Sequence, residues 1–273
     1  MIFDKNNRLS YSSLNRGSKS VATAQGNMDE DEQGADASAA QAMHVVANGF
    51  IDDGRNTIAS QLVDRLREAI VSGQFAPGSK INLQKARALF QVSLSPLREA
   101  LARLISDGLV IFEDNRGYRV APMSLADLEE ITSLRLEFEL FALREAIRLG
   151  DTTWEGDVVR ALHRLNKEER NADSPATLEA WEQIHRQFHL TLISGCKKPH
   201  LMHFCSVLLN LNDRYRRTFL RATSGDRNVA FEHSEIAHAA VARDAEFASQ
   251  RLHDHIRRTG GNLLTHVAAR GLT

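Results

Sequence analysis

A polar-headed helix that stops at a glycine and runs straight into a tight apolar hairpin leaves a chain few folds. Val92-Ser93-Leu94-Ser95-Pro96-Leu97-Arg98-Glu99-Ala100-Leu101 reads as such a helix. Ser93 stands at the cap position, and Pro96 falls in the first turn, where amides lack helical partners. Asp107-Gly108-Leu109-Val110 breaks the helix and opens an apolar strand, and Asn115-Arg116-Gly117-Tyr118 turns that strand back. Residues 109–113 and 118–121 are expected to pair, and Pro122 closes the unit. Upstream, Ile58, Leu62, Leu66, Ala69 and Ile70 recur at helical spacing as far as Gly73, and Phe75-Ala76-Pro77-Gly78 is a turn. A short helix is expected over 82–90, with Leu83, Ala86, Leu89 and Phe90 facing inward. Two helices in tandem followed by a hairpin are the parts of a winged helix-turn-helix, whose second helix lies in a DNA major groove.

Composition makes that surface a local one. The 273 residues carry a formal net charge of -1, so there is no global basic signature. Residues 56–122 hold nine Lys and Arg against six Asp and Glu, while residues 1–55 hold five against eight. The first 55 residues are rich in Ser, Asn, Gly, Ala and Gln and include Asp29-Glu30-Asp31-Glu32. They read as a disordered acidic leader, with a short helix at most over 41–51. The acidic run is either solvated or a DNA mimic. Cys196 and Cys205 have neither paired-thiol nor zinc-finger spacing, which excludes a disulfide scaffold and fits a reducing compartment. No apolar run approaches the roughly 20 residues of a membrane span, and the N-terminus lacks an apolar secretory core. A cytoplasmic protein with no membrane partner is expected.

Beyond Ser124 the pattern is helical throughout. Leu125, Leu128, Ile131, Leu134, Phe138, Phe141 and Leu143 line a long helix ending at Gly150. Further amphipathic segments cover 153–170, 176–194, 200–221, 227–243 and 244–269. About six helices in ~150 residues pack most simply as an antiparallel bundle. The expected fold is mainly α: a leader over 1–55, a winged helix-turn-helix over 56–122, and an all-helical domain over 123–273.

Two groups of side chains bear chemistry. Ser93, Ser95 and Arg98 stand near the start of the reading helix, where Arg98 either forks onto a guanine, clamps a phosphate or is simply solvated. Ser93 serves as cap and phosphate contact. Arg116 at the hairpin tip suits a minor groove or a phosphate, and Gly117 serves the turn. The second group is histidine: His185 and His189 share one helical face, and His233, His253 and His255 stand on later helices. Imidazoles at this spacing either share zinc, nickel or iron or make separate structural hydrogen bonds. No Glu stands beside the first His, which argues against the zinc-protease reaction. Arg214, Arg216 and Arg217 read as a solvated face, and His163, His200, His203, His238 and His253 as structural or solvent-facing.

The helix and hairpin, together with Pro77-Gly78-Ser79-Lys80-Ile81-Asn82, resemble the DNA-binding end of the GntR family of bacterial transcription regulators. The family usually has Glu, Leu, Gly and Arg where this chain has Leu83, Ala86, Gln91 and Leu94. The position of Leu94 commonly reads a base, so a different operator is implied, with Gln84, Lys85 or Arg87 as replacement contacts. Phe188-His189, Glu232-His233-x-x-Ile236 and Arg243-Asp244-Ala245-Glu246-x-Ala248, leading to His255-Ile256, resemble the FCD effector domain of the FadR subfamily. That resemblance implies three histidines (His189, His233 and His255) and a carboxylate around a divalent metal that holds a small carboxylate effector. The carboxylate usually lies four residues before the first histidine, where this chain has His185. Either His185 substitutes, or Glu139 does, or the site is weakened. Arg135 and Glu139 match a family pair that meets the effector, or they form an ordinary intrahelical ion pair. A homodimeric repressor on double-stranded DNA with a palindromic operator is the implied function. The rivals are a DNA-binding dimer without an effector site and a metal-dependent enzyme.

Overall fold

The computed structural model describes residues 58–168, 175–219 and 228–271. The acidic leader, the 41–51 segment and the start of the 56–122 unit before Ile58 lie outside the described residues. Helix α1 (Ile58–Val71) buries Leu62, Leu66, Ala69 and Ile70 along one stripe. They pack on α3 (Leu94–Ser106), which returns Leu97, Ala100, Leu101 and Leu104 at the same spacing. Between them lies the short α2 (Leu83–Phe90), where Asn82 accepts from the amides of Gln84 and Lys85 at 2.9 and 3.1 Å. Helix α2 ends on Gln91 at φ 55, a left-handed conformation that costs a non-glycine residue about 1–2 kcal/mol. The turn thus takes a left-handed residue at the position where a glycine would adopt it without cost.

Strands β1 (Val110–Glu113) and β2 (Gly117–Val120) pair antiparallel, from Val110 opposite Val120 to Glu113 opposite Gly117. Asn115 at φ 63 and Gly117 at φ 82 make the reversal. The Gly78–Ile81 turn adds a minimal third edge, with the Ile81 amide donating to the Tyr118 carbonyl at 2.9 Å.

Six helices follow: α4 (Leu125–Leu149), α5 (Thr152–Lys167), α6 (Pro175–Ser194), α7 (Pro199–Phe219), α8 (Val229–Val241) and α9 (Ala245–Ala269). Helix α4 lies against α9, α7 and α6, and α5 against α6 and α8. Leu143, Phe188, Leu192, Leu252 and Ile256 fill the centre. None of the described helices is long and apolar enough to cross a membrane. Cys196 and Cys205 are free and buried, and burial pushes the Cys205 thiol up to about 12.

Three expectations are corrected. Ser93 is the N-cap of α3 but makes no side-chain capping bond. A capping hydroxyl meets the second or third amide of the helix, and Pro96 has removed the third. Phe141 faces out, 44% exposed, because α4 is covered by neighbours on its other sides. Arg214, Arg216 and Arg217 are not solvated but buried, at 2%, 6% and 5% exposure. Arg214 donates to the carbonyls of Ala121 and Pro122, anchoring the segment that joins the hairpin to α4. Beside it the Tyr215 hydroxyl accepts from the Ser124 amide at 2.9 Å and donates to Asp127 at 2.7 Å.

Helix α9 lies close against α4 at Gly260, where a Cβ would stand 2.7 Å from Thr132 Cγ2; at neighbouring Gly261 it would meet nothing within 4 Å. Gly260→Ala should therefore cost about 1–3 kcal/mol through overpacking. Gly261→Ala should add up to about 1 kcal/mol by helix propensity alone. Thermal denaturation of the two variants checks this, the midpoints moving in opposite directions.

Candidate metal centre and nucleic-acid interface

Helix α6 supplies His185 and His189, one turn apart on its inner face; α8 supplies His233 and α9 supplies His255. All four are buried, and one ring nitrogen from each lies within 4.8 Å of the others. The Nε2 atoms of His185 and His189 stand 3.3 Å apart. Two ligands each about 2.0–2.1 Å from one tetrahedral ion would be separated by roughly that distance. His255 turns its Nδ1 to Glu232 Oε2 at 3.0 Å, and Arg258 holds the other oxygen of Glu232 at 2.9 Å. A carboxylate behind an imidazole orients the ring and raises its basicity towards a metal. Trp181 stacks on His185 with centroids 4.7 Å apart, and Phe188 packs against His189 and His233. The donor set therefore fits a borderline divalent ion.

Glu139 is not part of this group. It is buried on α4, taken up by Arg135, whose Nε donates to Oε1 at 2.6 Å and whose Nη2 reaches Oε2 at 3.4 Å. The structure thus brings the four histidines together and sets Arg135 and Glu139 beside them as a buried ion pair. His163, His200, His203, His238 and His253 lie outside the cluster.

At the other end of the chain, α2, α3 and the hairpin enclose an open groove of about 650 Å³. Gln84, Arg98, Arg116 and Gly117 line it together. Ser93, Ser95 and Lys85 are exposed nearby but do not line the groove. Arg116 reaches outward from the hairpin tip, its side chain 76% exposed and 3.6 Å from Glu113. Lys80 and the half-exposed Phe112, edge-on to Tyr118 at 5.0 Å, also line the groove, and neither was singled out from the sequence. Trp181 was likewise missed, and Glu232 was quoted beside His233 without a role. The four-residue spacing of Trp181 and His185, and the adjacency of Glu232 to His233, were the available signals.

Burial first, then the nearby Arg216 cation, holds His185 well below the usual imidazole range. His189 is held down likewise, by burial first and then by His255 and His233. An unfolded imidazole titrates near ~6.5, so below that pH the unfolded chain binds the extra protons and stability drains as pH falls. Metal-free protein melted in chelator from about pH 7.5 to 5.5 should lose midpoint steadily below ~6.5. A His185→Gln/His189→Gln variant should lose less over the same range.

Comparison with known proteins agrees with both halves. Residues 58–120 match the bacterial regulatory proteins of the gntR family, and residues 130–258 match the FCD domain. The HTH-type transcriptional regulator BphR of Paraburkholderia xenovorans (strain LB400) is 39% identical over 194 residues, which are 70% of this chain and 79% of BphR. The HTH-type transcriptional repressor GlaR of Escherichia coli (strain K12) is 32% identical over 195 residues, 70% of this chain and 89% of GlaR. The solved structure of McbR/YncC from E. coli shares the fold, with TM-score 0.67 at 19% identity over 77% of this chain and 98% of that one. The chain belongs to the GntR family of bacterial transcription regulators, in the form that carries an FCD effector domain behind its winged helix-turn-helix.

Proposed function

We propose that this regulator is a homodimer that reads a palindromic operator and alters its DNA affinity when a small carboxylate binds at a divalent metal held by His185, His189, His233 and His255. The convergence of four buried imidazoles, one of them backed by a carboxylate, is the observation that carries this function. Zinc, nickel and iron suit such a donor set. When bound, the ion supplies an electrophilic centre that a carboxylate can ligate. The chain's own residues do the rest. Glu232 and Arg258 fix the His255 ring, and Trp181 and Phe188 wall the cluster from water. Arg135 offers an effector carboxylate a guanidinium already oriented by Glu139.

DNA reading falls to residues 56–122, through Arg98, Ser93 and Ser95 on α3, Gln84 and Lys85 on α2, and Arg116 and Gly117 on the hairpin. Residues 123–273 carry effector binding and dimerisation. An exposed aromatic patch supports pairing with a second copy: Phe204 is 53% exposed, lies near-parallel to Phe138 at 6.1 Å, and Phe141 follows one turn along α4. Two copies present two reading helices about one DNA turn apart, which makes a palindrome the natural site. Repression released by the effector, in the cytoplasm, is the mode of action we assign.

Elemental analysis, duplex binding after selection from a random pool, and thermal shift against small carboxylates test this function. Wild-type protein should carry about one divalent ion per chain, the stoichiometry of a single site that keeps a position open for the carboxylate. Arg98→Ala should keep the ion and lose roughly 1–3 kcal/mol of DNA binding. His189→Ala should bind DNA normally and lose both the ion and the carboxylate response. Unchanged metal content and carboxylate response in His189→Ala would overturn the site. No ion and no response in wild type, even with zinc or nickel added back, would leave a DNA-binding dimer without a sensor.

A further inference from the structure

The buried arginines of α7 connect the histidine cluster to the DNA-reading domain through contacts that the proposed function does not use. Successive residues on a helix point in different directions, so Arg216 and Arg217 address different neighbours from one rigid element. Arg216 pairs with Glu182 and with Asp213 at 2.9 Å, and its guanidinium lies 5.6 Å from the centre of the Trp181 ring. Trp181 in turn lies nearly parallel to His185, at 19° between planes. Arg217 pairs across the domains with Glu68 on α1, and with Glu179 on α6 at 3.1 Å. Its Nε lies 3.9 Å from Glu182 Oε2, the oxygen that Arg216 also holds.

We propose that Arg216 and Arg217 are positioning residues that transmit the state of the histidine cluster to the DNA-reading domain. Arg216 follows His185 through Trp181 and Glu182, and Arg217 grips Glu68 and Glu179 while its Nε stands 3.9 Å from the same Glu182 oxygen. This inference rests on the metal reading of the cluster. Fixing the His185 ring fixes the Trp181 ring stacked on it, and with it the cation over that ring. A change in Arg216's grip on Glu182 changes what is left of that carboxylate for Arg217, and so its hold on α1. Among the described residues the joint is not saturated: Arg216 Nε and Nη1, Arg217 Nε and Asp213 Oδ2 are buried without a hydrogen-bond partner. These spare donors and acceptors leave room for alternative pairings within the same box. Coupling between sites needs such an element with two arrangements, each favoured by a different state of the site.

Amide hydrogen exchange of the full chain with and without zinc tests the proposal, with zinc affinity measured in parallel by calorimetry. In wild type, zinc should change exchange in α1 peptides roughly fivefold or more, the low end of ordinary coupling between sites. In Arg217→Met and in the milder Glu68→Gln, zinc should bind with wild-type affinity and still protect α6 and α8. The α1 response should be lost in both, and the two substitutions combined should do no more than either alone. Arg217→Lys, which keeps the charge but not the fork, should restore part of the response. A merely structural role would change α1 exchange equally with and without zinc. Zinc that binds wild type without an α1 response, or a response that survives in Arg217→Met, would overturn the proposal. Absence of zinc binding to wild type would overturn the metal reading, and this inference with it, and the calorimetry reports that outcome separately.

Discussion

Arginine buried where the two domains meet is the constraint on which the rest of the structure depends. A cation removed from water must be matched by carboxylates or carbonyls, and losing one partner commonly costs several kcal/mol. Over one turn of α7, Arg214 is met by main-chain carbonyls of the joining segment, Arg216 by its own bundle, and Arg217 by both domains. Leu211, from the same helix, packs at Gly108 where the reading helix ends. The orientation of the DNA-reading domain is therefore set by hydrogen-bond geometry on one helix as well as by apolar contact.

The DNA-reading half was legible in the sequence because its signals are local. Glycine at Gly108 and Gly117, the apolar runs and the Asn115 turn act within a few residues of the structure they cause, and the observed strands differ from expectation by one residue at their ends. The pairing of His185 with His189 was legible for the same reason, since one helical turn relates them. Joining His233 and His255 to them needed the family resemblance, because no local rule links α6, α8 and α9. The buried arginines were illegible. Glu68 and Glu179, the carboxylates that make burial of Arg217 tolerable, lie 149 and 38 residues away in sequence. A run of arginines on an amphipathic helix reads as a solvated face unless those partners are known. Phe141 erred in the opposite direction: helical spacing marks an apolar residue but not which of two neighbouring stripes is covered.

An imidazole at the position of His185 also changes the electrostatics of the cluster. Four neutral ligands leave the charge of a bound ion undiminished, whereas a carboxylate ligand would cancel part of it. Around it stand the Glu232 carboxylate behind His255, the Arg135–Glu139 pair and the Arg216 cation near His185. On the metal reading proposed above, such a site would favour anionic ligands more strongly than one with a carboxylate among its ligands.

The close crossing of α4 and α9 at Gly260 has a mechanical consequence. His255 lies five residues before that crossing, about 7.5 Å along the helix at 1.5 Å per residue. A side chain at Gly260 would run into that of Thr132, so only glycine lets α9 lie this close to α4. The histidine box accordingly has one wall set by a close helix crossing, whereas α6 and α7 meet through the Trp181 ring, the Arg216 cation and ion pairs.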